Sequence, residues 1–159
     1  MVPVEAPAEI PLLNFSFAQL GKNAWALFSH VFLQLPDIFF NSIPAFGPLD
    51  HVSIPFVFVG IIVFTIQLFR EKNIEKQTRM LALWGFLVTG IWVGLITYEV
   101  NINRVNIIFY PIILLCAYGI GLAVRKWKKL WPVVAAAYGI SSILFFGTYF
   151  TTYAEESRE

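Results

Sequence analysis

Residues 80–98 read MLALWGFLVTGIWVGLITY, nineteen consecutive residues with no charged side chain, bounded by Arg79 and Glu99. At about 1.5 Å of rise per residue such a helix extends roughly 28 Å, close to the ~30 Å thickness of a bilayer's hydrocarbon core. A helix apolar around its whole circumference has no face to offer water, so the stretch belongs in lipid. Three further segments repeat the pattern, at about 52–69, 105–124 and 130–150. Charged residues gather between and beyond them, at 70–79, 99–104, 125–129 and 155–159. Hydrophobic residues make up 58% of the chain and charged ones 13%, about half the charged share of a water-soluble domain. The sequence therefore predicts an all-α integral membrane protein with four transmembrane helices.

The residues ahead of the first span divide in two. Residues 1–14 have neither a positive start nor an apolar run, so they read as a polar leader and not as a signal peptide. Ser16 and Gln19 have capping-box spacing and open a predicted helix that ends before Pro36. Phe17, Leu20, Ala24, Leu27, Phe28, Val31 and Leu35 follow helical spacing on one side of it. Gln19, Asn23, His30 and Gln34 fall on the other. This is the pattern of an amphipathic helix lying in the membrane interface, with Trp25 at a suitable depth and His30 in solvent. Residues 36–53 hold three prolines and a glycine, which predicts an external loop. The expected organisation is a leader, interfacial helix and loop over 1–53, a four-helix membrane domain over 54–150 and a tail over 151–159.

Lysine and arginine give an orientation. Arg70, Lys72, Lys76, Arg79, Arg125, Lys126, Lys128 and Lys129 lie in two loops on one side, and only Lys22, Arg104 and Arg158 lie on the other. The positive-inside rule makes the rich side cytoplasmic, so both termini, the predicted loop at 36–53 and the turn at 99–104 are expected outside. A leader of this length outside, without a signal peptide, suggests the C-terminal part of a longer protein with further upstream helices. In the second span Gly90 and Gly94 have small-xxx-small spacing, and Ala135, Ala136, Ala137 and Gly139 make part of the fourth narrow, which favours close helix approach.

No phosphate-binding glycine loop, metal-ligand spacing or nucleophile elbow is present, and no basic–aromatic pattern suits nucleic acid. The reading calls for no cofactor and no metal. Cys116, the single cysteine, reads as a small apolar filler. His51, beside Asp50 at the mouth of the first span, reads as an interfacial anchor or a loop contact, together with Asp37 and Asn41. The most informative segment is YEVNINRVNIIFYP, residues 98–111, which packs Asn101, Asn103, Arg104 and Asn106 into a short turn at the mouth of two spans. Arginine presents a planar fork of donors that matches phosphate, and this one stands at the height of lipid headgroups.

The run NINRVNIIFYPIILLCAYGI at 101–120 resembles the Asn/Arg-rich turn and following helix in the last membrane spans of GT-C class integral membrane glycosyltransferases. The similarity is to the family 39, protein-mannosyltransferase type, which includes bacterial lipid-A aminoarabinose transferases. LPDIFFNSIPAFGPLDHVSIPFVFVGI at 35–61 is similar to the external loop leading into those spans, and GTYFTTYAEE at 147–156 to the point where such chains leave the membrane. The resemblance implies transfer of a sugar from a polyprenyl-phosphate donor at the outer face of the cell membrane. It places Arg104, with Asn101, Asn103 and Asn106, at the donor phosphate. The family's catalytic carboxylate stands in an early external loop with no counterpart here, and neither Asp37 nor Asp50 fills its position. The chain is thus expected to be the donor-binding portion of such an enzyme, inactive by itself. The alternative is a small non-catalytic membrane protein or assembly subunit.

Overall fold

The computed structural model describes residues 15–35, 43 and 46–153. Among them all regular structure is helical. Helix α1 spans Phe17–Val31, α2 Ile54–Arg70, α3 Ile74–Ile96, α4 Ile102–Val105, α5 Phe109–Lys126 and α6 Leu130–Thr148. Tight 3-10 turns precede α2 at His51–Ser53 and α5 at Asn106–Ile108. Four segments are long and apolar enough to cross a membrane, namely His51–Arg70, Ile74–Ile96, Ile102–Lys126 and Leu130–Thr151. The chain is a multi-pass membrane protein. Asp37 and Asn41, and most of the predicted loop at 36–53, lie outside the described residues.

The helix ends follow from local chemistry. Asn73 caps α3, its side chain accepting from the Lys76 amide at 3.0 Å, with Glu75 in the first turn where the helix dipole favours an anion. This cap starts the second span six residues before its apolar run, carrying charged residues 75–79 into the helix. Pro55 sits in the first turn of α2, where its missing N–H costs nothing. At their far ends α2 finishes on Arg70 and α5 on Arg125 and Lys126, cations beside the unpaired carbonyls of a C-terminus. These residues and the α5–α6 turn form the basic end of the bundle. At the opposite end α2 begins, α3 stops and α4 stands.

The tightest contact is α2 against α5. A Cβ on Gly60 would lie 1.9 Å from the carbonyl oxygen of Leu115, and one on Gly119 would lie 2.1 Å from that of Phe56. Only glycine lets the two backbones meet so closely. Val57 and Leu115 are fully buried beside the crossing. Gly90 and Gly94 also serve packing, but with two different partners. A Cβ on Gly90 would crowd Ile108 at 3.1 Å, and one on Gly94 would crowd Leu27 of α1. A polar cluster helps to attach helix α6. The Tyr138 hydroxyl meets Ser53 Oγ at 2.7 Å and Cys116 Sγ at 3.7 Å, and that thiol also donates to the Ser53 carbonyl. Cys116 therefore does more than fill space. Most of the outward surface of the spans is apolar, as lipid contact requires. Trp127 and Trp131 at the basic end and Trp25, Tyr98 and Tyr110 at the other are exposed at the heights where aromatic belts sit.

Helix α1 departs from the sequence expectation. Ser16 caps it as predicted, but its polar stripe points inward. Asn23 is 2% exposed and donates to the carbonyls of Leu95 and Thr97 at 2.7 and 2.6 Å. Gln19 donates to the Tyr98 carbonyl and to Asn23 Oδ1, each at 2.9 Å. The end of α3 leaves carbonyls that need donors, and in an apolar surround an amide side chain supplies them at less cost than water would. His30 is likewise buried, not solvated, at 8% exposed, with Nδ1 3.1 Å from the Leu35 carbonyl. Gln34, in the left-handed region at φ 54°, closes the joint by accepting from the Leu49 amide at 2.7 Å.

Candidate functional site: the Arg104 turn

The turn between α3 and α5 is built from its buried residues outward. Val105 is fully buried and Ile108 nearly so, and together they anchor one side of the turn in the core. Gly90 is what lets Ile108 approach α3. Asn101 caps α4, its Oδ1 accepting from the Arg104 amide at 2.9 Å. With the inward side fixed at Val105 and Ile108, Asn103, Arg104 and Asn106 are left on the outward side, and all three are exposed. The Arg104 guanidinium donates through Nη1 to the Glu99 carbonyl at 3.0 Å. Among the described residues the one ion pair is Arg79 with Glu75 at the basic end, so the Arg104 charge has no carboxylate against it there. The guanidinium keeps donors for an anion approaching from the membrane surface.

Asn101, Asn103, Arg104 and Asn106 share one turn, and their roles there differ. Asn101 is half-buried and holds the backbone. Asn103 has its own partner. His51 belongs elsewhere. Two residues on from it, the Ser53 carbonyl meets Cys116, which lies twelve residues beyond Arg104, about 18 Å along the helix axis. His51 is exposed at the start of α2, level with another part of the bundle.

Below the turn lies an apolar groove of about 320 Å³ bounded by α1, α2, α3 and α5. Ile108, one turn on from Arg104, lines it with Leu27, Val31, Ile61, Leu87 and Ile112. Arg104 is not among the residues lining this open apolar groove and is linked to it through Ile108. No family model, curated protein or solved structure matches this chain. The site stands on its own chemistry. Sequence reasoning missed the groove because it needs α1 in place, and α1 is held by Asn23 and Gln19 on the carbonyls of α3, contacts that leave no pattern in the sequence. Among the described residues no cluster of histidine, cysteine or carboxylate side chains is arranged to hold a metal.

Proposed function

We propose that this chain is the donor-lipid-binding portion of a membrane glycosyltransferase that uses a polyprenyl-phosphate-linked sugar, with Arg104 at the lipid phosphate on the extracytoplasmic side of the cell membrane. The observation that carries this reading is the exposed Arg104 guanidinium, free of any carboxylate among the described residues, one turn above an apolar groove. When a sugar leaves a lipid phosphate, negative charge grows on that phosphate, and a fixed cation there stabilises the leaving group. Arg104 supplies the charge, Asn101 fixes its backbone, and Asn103 and Asn106 stand beside it as further polar groups. The groove takes the first isoprene units of the tail.

Binding tests this directly. The full chain in nanodiscs is titrated with polyprenyl phosphate, as wild type and as Arg104→Ala, Arg104→Lys and Arg125→Ala. Loss of one charge-assisted contact commonly costs about 1.5–3 kcal/mol, so Arg104→Ala should weaken binding roughly ten- to hundredfold. Lysine keeps the charge without the fork and should recover part of the loss. Arg125→Ala, at the basic end, should bind like wild type. Equal affinities for Arg104→Ala and Arg125→Ala would reduce Arg104 to an ordinary headgroup anchor. A second reading, a non-catalytic assembly subunit, draws on α6, where only Val134 is buried and a nearly complete helix surface remains for neighbouring helices or lipid.

A further inference from the structure

A second cavity lies at the α2 start, away from Arg104. It measures about 430 Å³ and is an open cleft between residues 46–52 and the second half of α6. Its walls carry three phenylalanine rings and four polar side chains. Phe46 meets Phe145 edge-on at 5.4 Å, and Phe146 stands edge-on to Phe145 at 5.6 Å. Asp50, His51, Ser141 and Ser142 supply the polar surface.

The polar groups have unused capacity. One carboxylate oxygen of Asp50 accepts from the Val52 amide at 2.9 Å, capping the turn ahead of α2. No lysine or arginine lines the cavity, and among the described residues Asp50 joins no ion pair. Ser141 and Ser142 differ from the other hydroxyls carried by the spans. Thr65, Thr89 and Thr151 each return their hydroxyl to the carbonyl four residues back, at 2.6, 2.8 and 2.7 Å. Ser141 and Ser142 make no such bond among the described residues. The span that starts at His51 is 20 residues long, and the one carrying Arg104 is 25. Asp50 therefore stands deeper than the α4 turn, in line with the contact between the Ser53 carbonyl and Cys116. A carboxylate at the hydrocarbon boundary is costly unless a cation meets it.

We propose that this cavity is a binding site for a primary ammonium group presented at the membrane surface. The free Asp50 oxygen neutralises the charge, the Ser141 and Ser142 hydroxyls accept its N–H groups, and the faces of the phenylalanines attract it through their quadrupoles. Phosphate is excluded by the lone negative charge, and a neutral sugar would leave that charge uncompensated. The site makes no use of Arg104, so it stands or falls apart from the glycosyltransferase reading.

The probe is phosphatidylethanolamine doped into phosphatidylglycerol nanodiscs holding the full chain, with N-acetylated phosphatidylethanolamine as the uncharged control and soluble ethanolamine as a second arm. Retained lipid is counted by native mass spectrometry, and ethanolamine is read by thermal shift. Wild type should retain the amine lipid over its acetylated form by about tenfold, the size of one charge-assisted contact. Asp50→Asn keeps the capping oxygen and removes the charge, so the protein should fold and lose the preference. Ser142→Leu, at an exposed position, should lose it by filling the cavity, and Glu75→Gln at the basic end should keep it. If only soluble ethanolamine acts, stabilising wild type but not Asp50→Asn, the ammonium comes from solution and the site still holds. An unchanged lipid preference in Asp50→Asn, or no response to either amine, overturns the proposal.

Discussion

Asn101 and Arg104 stand three positions apart and do different work. The asparagine spends its side chain on the Arg104 amide, and the arginine spends part of its fork on the Glu99 carbonyl and keeps the rest. Removing the cap should therefore act on affinity indirectly, by loosening the backbone that aims the guanidinium. A lost N-cap costs about 1 kcal/mol, so Asn101→Ala should weaken polyprenyl-phosphate binding about fivefold, less than Arg104→Ala. Asn101→Ser preserves a capping oxygen and should restore most of the affinity. The check is the same nanodisc titration, and a full loss with Asn101→Ser would mean that the Asn101 amide itself touches the ligand. The Asn/Arg-rich turn was legible as a polar cluster at a span mouth. Which asparagine caps and which stands outward was not, because that depends on Val105 and Ile108 being pulled into the core.

At the scale of elements, the α2–α5 crossing fixes the bundle and Asn23 fixes α1. Gly60→Ala places a methyl group against the Leu115 carbonyl, which belongs to backbone and cannot swing aside. The crossing must open, at a cost of about 1–3 kcal/mol by analogy with overpacked cores. Gly139→Ala, which meets nothing within 4 Å, should keep or slightly raise stability, because alanine costs less than glycine inside a helix. Thermal unfolding in detergent compares the two, and an equal Tm would show that the crossing does not bear on stability. The four spans were readable from their apolar runs, with ends shifted where Asn73 or the 3-10 turn at Asn106–Ile108 sets the boundary. The Gly60–Gly119 pair was not, since the two residues lie 59 positions apart in sequence. The inward polar face of α1 was hidden for a related reason. Amphipathic spacing tells which residues share a side, and it is silent on whether that side meets water or the bare carbonyls of another helix.

Over the whole molecule, charge is divided between two ends. The basic end gathers the cations of the α2–α3 and α5–α6 connections, and the opposite end carries Arg104, Asp50 and the two cavities. The lipid-phosphate reading requires the Arg104 end to face outward, as the 8-to-3 division of lysine and arginine suggests. Cysteine accessibility decides this most directly. Cys116 is buried, so the wild-type chain serves as the blank. A membrane-impermeant maleimide applied to intact cells should label Asn103→Cys and Thr152→Cys and leave Ile74→Cys and Trp127→Cys unmodified until the membrane is opened. The reverse pattern would put Arg104 on the cytoplasmic face and contradict its assignment to a donor phosphate on the outside.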